Sequence, residues 1–215
     1  MKFKNVIFDL DGTLTDPYAG IANSVNYALG KMKMPYADEK TLKSFIGPPL
    51  SDSFLSLGLT LSEAKKAIDF YREYYSEKGI YENIPYPGID ALLQKLCGGG
   101  ITCLVATSKP ENFAVKVLEH FGIYKYFSVV CGPDISQLHS EKSDIIADAL
   151  NRLNIKDTQN CLMVGDRLFD VEGAHSRGVR AAGVLWGYGT KDELENAGAD
   201  FIINDIYGLE SLLID

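Results

Sequence analysis

The sequence is poor in the residues that mark disulfide scaffolds, zinc proteins and nucleic-acid binders. Its 215 residues include four cysteines, three histidines and one tryptophan. Cys97, Cys103, Cys131 and Cys161 form no CxxC pair and show no Cys/His metal spacing, which argues against a zinc module. Cys103 and Cys161 sit inside apolar runs and read as small core residues. This cysteine usage fits a reducing cytosol, so a cytoplasmic protein is expected. His120, His139 and His175 are unpaired in sequence, with no HExxH, and read as surface or helix-end residues. No G-x-S-x-G elbow supports serine-hydrolase chemistry. Gly98-Gly99-Gly100 lacks the spacing of a dinucleotide loop or a P-loop and reads as a helix-to-strand turn. No apolar run is long enough to span a bilayer. Met1-Lys2-Phe3-Lys4 leads straight into the first strand, which speaks against a signal peptide. Basic excess is also missing. Twenty-one Lys and Arg face 29 Asp and Glu, a net charge of -8. Neither a nucleic-acid polymer nor an anionic membrane is therefore an expected partner, although a local positive pocket for phosphate is compatible with this balance.

What is present is a soluble-type composition, 46% hydrophobic, and an alternation of short apolar runs with helical patterns. Asn5–Leu10, Thr102–Ala106, Cys161–Val164 and Ala181–Leu185 read as central strands. Phe127–Cys131 adds a fifth and Phe201–Ile203 an edge. Helical spacing over Ile89–Leu96, Glu111–Phe121 and Lys142–Leu153 separates them. This predicts an α/β fold with a doubly wound, mostly parallel sheet covered on both faces. Ligands of such sheets bind beyond the carboxyl ends of the strands.

From about Pro17 to Pro85 the alternation stops, and helical patterns appear with no good strand. Candidate helices are Ile21–Met32, Lys40–Phe45, Ser51–Leu57 and Ser62–Tyr75. In the last, Ala64, Ala67, Ile68, Tyr71 and Tyr75 form an apolar stripe that reads as bundle core. The expected organisation is a core of residues 1–16 and 86–215 with an inserted α-helical bundle, 17–85, placed to close as a lid.

The most informative stretch is Val6-Ile7-Phe8-Asp9-Leu10-Asp11-Gly12-Thr13. An apolar strand ends in two carboxylates one residue apart. Such groups are costly there unless something positive binds, and a hard divalent cation such as Mg²⁺ prefers oxygen ligands. A carboxylate so placed could also act as a nucleophile.

Asp9-Leu10-Asp11-Gly12-Thr13 resembles the first signature of the haloacid dehalogenase-like hydrolases. Val105-Ala106-Thr107-Ser108-Lys109 resembles the second, Lys142 the third, and Val164-Gly165-Asp166-Arg167-Leu168-Phe169-Asp170 the fourth, in its GDxxxD form. The insert position resembles that of the family's helical cap. The resemblance implies Asp9 as nucleophile and Asp11 as acid–base, with the Asp11 backbone carbonyl on the metal. It implies Thr107, Ser108 and Lys142 as phosphate-binding groups, Lys142 being favoured over Lys109 as the catalytic lysine. It also implies Asp9 and Asp166 as direct Mg²⁺ ligands. Asp170 is expected to assist the metal, to cap a helix, or to do both. One departure is Ser143, where many relatives carry proline after the lysine.

The function this implies is Mg²⁺-dependent hydrolysis of a small phosphorylated metabolite through an aspartyl-phosphate, of phosphoglycolate or nucleoside monophosphate type. The rival enzyme is a phosphosugar mutase of the same superfamily. The rival from another class is a non-catalytic regulatory protein on this scaffold. Substrate choice is expected to lie in the insert, with Lys43, Gly47 and Arg72 as candidate groups, and Trp186-Gly187-Tyr188-Gly189 is expected at the cleft rim. A monomer is the default expectation, with a dimer as the alternative.

Overall fold

The computed structural model describes residues 3–135 and 140–214. Six strands form one parallel sheet, in the order β5-β4-β1-β6-β7-β8. They are β1 (Asn5–Phe8), β4 (Thr102–Ala106), β5 (Phe127–Cys131), β6 (Cys161–Gly165), β7 (Arg180–Val184) and β8 (Phe201–Ile203). The expected strands all form. β1 is shorter than expected because the chain turns at its end. Asp9 N–H still bonds to Val164 O at 2.9 Å, but Leu10 O then gathers the N–H groups of Thr13, Leu14 and Thr15. That turn needs Gly12, whose φ is +85°.

Alternation along β1 assigns its side chains to two faces. Val6 and Phe8 join a core with Leu92, Leu93 and Leu96 of α5 (Ile89–Gly98), Phe113 and Val117 of α6 (Glu111–His120), and Leu209 and Leu213 of α10 (Ile206–Ile214). Ile7 joins the other core, with Ile145, Ile146 and Ala149 of α7 (Lys142–Arg152), Val171 of α8 (Leu168–His175) and Leu194 of α9 (Lys191–Asn196). Cys103, Cys131 and Cys161 are buried and Cys97 is exposed. His120 and His175 each end a helix, and His139 lies outside the described residues.

Between β1 and β4 the chain forms four helices, α1 (Tyr18–Lys31), α2 (Glu39–Lys43), α3 (Leu50–Ser56) and α4 (Leu61–Glu77). The Asp38 carboxylate accepts from Thr41 N–H at 2.8 Å and starts α2. Thr60 and Glu63 form a capping box at the start of α4. The stripe Ala64, Ala67, Ile68, Tyr71 and Tyr75 is buried, and the Tyr71 and Tyr75 rings stack at 5.3 Å.

One expectation fails here. The sequence shows no good strand from about Pro17 to Pro85, yet β3 (Ile84–Pro85) pairs antiparallel with β2 (Thr15–Asp16). Two residues are too few to imprint a period of two on the sequence, and Pro85 is tolerated because a two-stranded ribbon is all edge. The ribbon joins the two crossings by which the chain leaves and re-enters the sheet-bearing part. No helix among the described residues is long and apolar enough to cross a membrane.

Candidate active site

β1 lies between β4 and β6, so the strand order reverses around it, and the crevice of a doubly wound sheet opens at such a point. The loops leaving these three strands carry Asp9 and Asp11, Thr107 to Lys109, and Asp166. Asp9, Asp166 and Asp170 are buried, and one ligand atom from each lies within 4.8 Å of the others. Glycine makes room for this. A Cβ on Gly12 or Gly187 would run into the Asp166 carboxyl group, and one on Gly165 into that of Asp170.

Two lysines enter from opposite sides. Lys142 opens α7 and places Nζ 2.9 Å from Asp9 Oδ1, 2.8 Å from Asp170 Oδ1 and 3.1 Å from Ala106 O. Burial alone would lower the Lys142 pKa, but the Asp170 and Asp9 carboxylates outweigh it and hold the ammonium charged. Lys109 pairs with Asp11 and also donates to the Tyr75 hydroxyl of α4 at 2.6 Å. Burial pushes the Asp11 carboxyl up, against the pull of Lys109. Asp11 Oδ1 is buried and accepts no hydrogen bond among the described residues. An ester oxygen or water beside it would complete its set.

Four carboxylates, Asp9, Asp11, Asp166 and Asp170, thus face two ammonium groups, an excess of two negative charges. Among the described residues no ammonium group pairs with Asp166. Burial, and then the Asp170 and Asp9 charges, push its carboxyl up to about 8. Asp170 is raised to about 6 by burial, with Lys142 opposing. A buried, oxygen-only donor set with more carboxyl groups than ammonium groups fits a hard divalent cation. Asp170 also serves α8, as its third residue, by accepting Arg167 N–H at 3.1 Å. The two roles considered for it coincide in one side chain.

Thr107 is buried, and its Oγ1 accepts from Lys109 N–H at 3.2 Å, which leaves its own proton free to point into the crevice. Thr107, Ser108, Asp9 and Asp11 line a cavity of about 110 Å³ together with insert residues. From the insert come Gly47, Pro48, Pro49, Leu50, Tyr71, Arg72 and Tyr75. Gly47 and Arg72 are therefore brought to the site. Lys43 is not. It is exposed and paired to Glu39 at 2.6 Å, one helical turn away on α2.

Sequence reasoning ranked Lys109 below Lys142 and read Tyr75 only as core. The structure brings both lysines in, and the buried Tyr75 ring delivers its hydroxyl to Lys109. The signal available was the two-residue step from Thr107 to Lys109. Trp186 to Gly189 lie outside the cavity lining and buttress the acidic loop. Tyr188 N–H donates to Asp166 Oδ2 at 2.8 Å, Tyr188 Oη donates to Asp16, and Trp186 Nε1 donates to Thr13 O at 3.0 Å.

Residues 6–184 match the family model described as haloacid dehalogenase-like hydrolase. The chain belongs to that family. It is 37% identical to a 5'-nucleotidase of Pseudomonas aeruginosa, over 99% of this chain and 96% of that one. It is 38% identical to a Mycobacterium tuberculosis protein named tyrosine-protein kinase PtkA, over 92% of this chain and 67% of that one. The crystal structure of a predicted phosphatase from Clostridium acetobutylicum superposes with a TM-score of 0.94 at 41% identity, covering 100% of this chain and 99% of that one. Family membership points to a hydrolase, and the crevice gathers its buried carboxylates at the ends of the central strands.

Proposed function

We propose that this chain is a Mg²⁺-dependent phosphatase that releases phosphate from small phosphomonoesters through an aspartyl-phosphate on Asp9. The observation that carries the reading is Asp9 itself: a buried carboxylate at a strand end, 2.9 Å from Lys142 Nζ, on the wall of the cavity that the insert covers. The relative named 5'-nucleotidase and the solved structure called a predicted phosphatase support it.

The helical insert acts as a cap over the core in this reading, with residues 17–85 as one domain and 1–16 with 86–215 as the other. Asp9, Asp166 and Asp170, with the Asp11 backbone carbonyl, would hold Mg²⁺. Bound there, the cation supplies positive charge that offsets the repulsion between the phosphate oxygens and the attacking carboxylate. Lys142, 2.9 Å from Asp9, places a positive charge beside the incoming phosphoryl group. The Thr107 hydroxyl and Ser108 N–H donate to phosphoryl oxygens. Asp9 attacks phosphorus as the ester P–O bond breaks, and protonated Asp11 gives its proton to the leaving oxygen. A water then attacks phosphorus, Asp11 takes back a proton, and the Asp9–phosphorus link breaks to release inorganic phosphate.

One observation keeps a second acceptor in view. The M. tuberculosis relative carries the name of a kinase, so a phosphoryl group on Asp9 could pass to an acceptor other than water, as in the mutase reading. Phosphate release from a panel of metabolite esters with Mg²⁺, including phosphoglycolate and nucleoside monophosphates, separates the two. Free phosphate in equal amount to the alcohol is expected. An isomerised ester without free phosphate would point to the mutase. Equal activity of wild type and Asp9→Asn across the panel would remove Asp9 as nucleophile.

A further inference from the structure

The GDxxxD loop does more than supply Asp166 and Asp170. Between them, Arg167 reaches out of the core and touches the insert. Its Nη1 donates to Ile46 O at 2.6 Å. Its Nε donates to Glu193 Oε1 at 2.8 Å, and the same oxygen accepts Leu168 N–H at 3.0 Å. The guanidinium is thus anchored from behind by α9 and by the start of α8, and its free edge is presented to a carbonyl 121 residues away in sequence. The next residue of the insert, Gly47, has φ +105°, and a Cβ there would come within 2.8 Å of Arg167 Nη1. The left-handed backbone at Gly47 favours glycine, and a side chain there would push against the guanidinium. Gly47 begins the wall, continued by Pro48, Pro49 and Leu50, that closes one side of the cavity.

We propose that Arg167 is a positioning residue that registers this wall over the crevice, so that the metal-site loop sets which leaving groups the cavity admits. The Asp170 carboxylate accepts Arg167 N–H, Glu193 fixes the guanidinium, and Ile46 O takes its position from that fixed fork. A planar, bidentate cation is suited to this task because it holds two partners at a set angle, which a lysine ammonium does not. The contact joins insert and core, and it shares that task with the Lys109–Tyr75 bond, 2.6 Å long. The inference rests on the phosphatase reading only in treating this cavity as the place of the leaving group.

The test compares wild type with Arg167→Met and Arg167→Lys. Glu193→Gln serves as a milder variant: it keeps an oxygen that can accept Leu168 N–H and removes the charge that anchors Arg167. Hydrogen–deuterium exchange is followed over residues 44–50 and over β6. Expected is exchange about tenfold faster at 44–50 in all three variants, the loss of one charge-assisted hydrogen bond, with β6 unchanged. In parallel, kcat/KM is measured for a nucleoside monophosphate and for acetyl phosphate. Expected is a change of about tenfold in their ratio, borne mainly by KM of the larger ester. Unchanged protection at 44–50 would overturn the proposal, as would a uniform fall for both substrates, which would place the damage in the metal site alone. Failure of wild type to release phosphate would instead remove the phosphatase reading and leave the exchange result to stand by itself.

Discussion

Lys109 Nζ lies 2.6 Å from the Tyr75 hydroxyl, and the same ammonium pairs with Asp11. A cap-side phenol is thereby joined to the proposed acid–base residue through a single buried cation. Tyr75 keeps its ring in place by stacking on Tyr71 and by an edge contact to Phe113 at 5.5 Å. Tyr75→Phe therefore removes the hydroxyl and little else. A hydrogen bond to a charged group contributes about 1.5–3 kcal/mol to stability, so a stability loss of about that size is expected, together with a fall of about tenfold in kcat/KM. Lys109→Met should cost more, because it leaves the Asp11 carboxylate without its cation. Steady-state phosphate release across the double-mutant cycle measures the coupling. Strict additivity of the two losses would mean that the bond plays no part.

Asp9→Asn is expected to lower kcat by about 10⁴-fold or more, as loss of a nucleophile does. Its effect on stability should have the opposite sign. Asp9 is one of the charges that raise Asp166, so neutralising it relieves a buried repulsion. In metal-free buffer at pH 8 the variant should melt at or above the temperature of wild type. A clearly lower melting temperature would mean that the Asp9–Lys142 pair outweighs the repulsion.

The legible part of this chain is the part where a period meets a sharp chemical change. Val6-Ile7-Phe8 and Leu162-Met163-Val164 are apolar strands that end in carboxylates, and the sheet places both ends beside one crevice. The illegible part is where function depends on which end of a buried side chain is polar, or on a backbone partner. Helical spacing put Tyr75 on the buried face, correctly, but carries no information about where its hydroxyl ends. Lys43 and Arg72 look alike as cations on insert helices, yet Glu39 holds Lys43 at the surface while Arg72 borders the cavity. The contact from Arg167 to Ile46 O ends on a main-chain atom, which no residue type announces. The β2–β3 ribbon is likewise too short to print a pattern.

Lys142 is the cation between Asp9 and Asp170. Replacing it with methionine would keep much of the stem and leave two buried carboxylates facing each other. Breaking a buried pair from one side costs about 3–5 kcal/mol. Urea denaturation of metal-free Lys142→Met should show a loss of about that size, and activity should fall to background. A loss under about 1 kcal/mol would mean that water or protonation compensates fully.

Metal removal should make stability depend on pH in a defined direction. Asp166 sits at about 8 in the folded chain because burial, Asp170 and Asp9 oppose its charge. Its unfolded value is about 3.9. Between these values the folded state holds the extra proton, so stability falls as pH rises through that window. Asp170, at about 6, adds a fall of the same sign over the lower part of the window. Mg²⁺ needs the ionised carboxylates, so the stabilisation it adds should grow from pH 5 to pH 8. Melting curves at both pH values, with EDTA and with Mg²⁺, measure this. A metal-free protein that gains stability across the window would contradict the assignment of the buried charge excess to this cluster.

Gly12 supplies the last test, because its substitution separates backbone strain from crowding of the metal site. Its φ is +85°, and a Cβ there would meet the Asp166 carboxyl carbon at 2.6 Å. Gly58 has nearly the same φ, +84°, with nothing within 4 Å of its would-be Cβ. Gly12→Ala and Gly58→Ala therefore share a left-handed backbone penalty of about 1–2 kcal/mol. Only the first also pushes Asp166 out of place. Calorimetry should find Mg²⁺ affinity about tenfold or more weaker in Gly12→Ala, in the range seen when groups that orient metal ligands are lost, and unaltered in Gly58→Ala. Equal affinities in the two variants would mean that displacing Asp166 costs the cation nothing, and its place as a direct ligand would have to be given up.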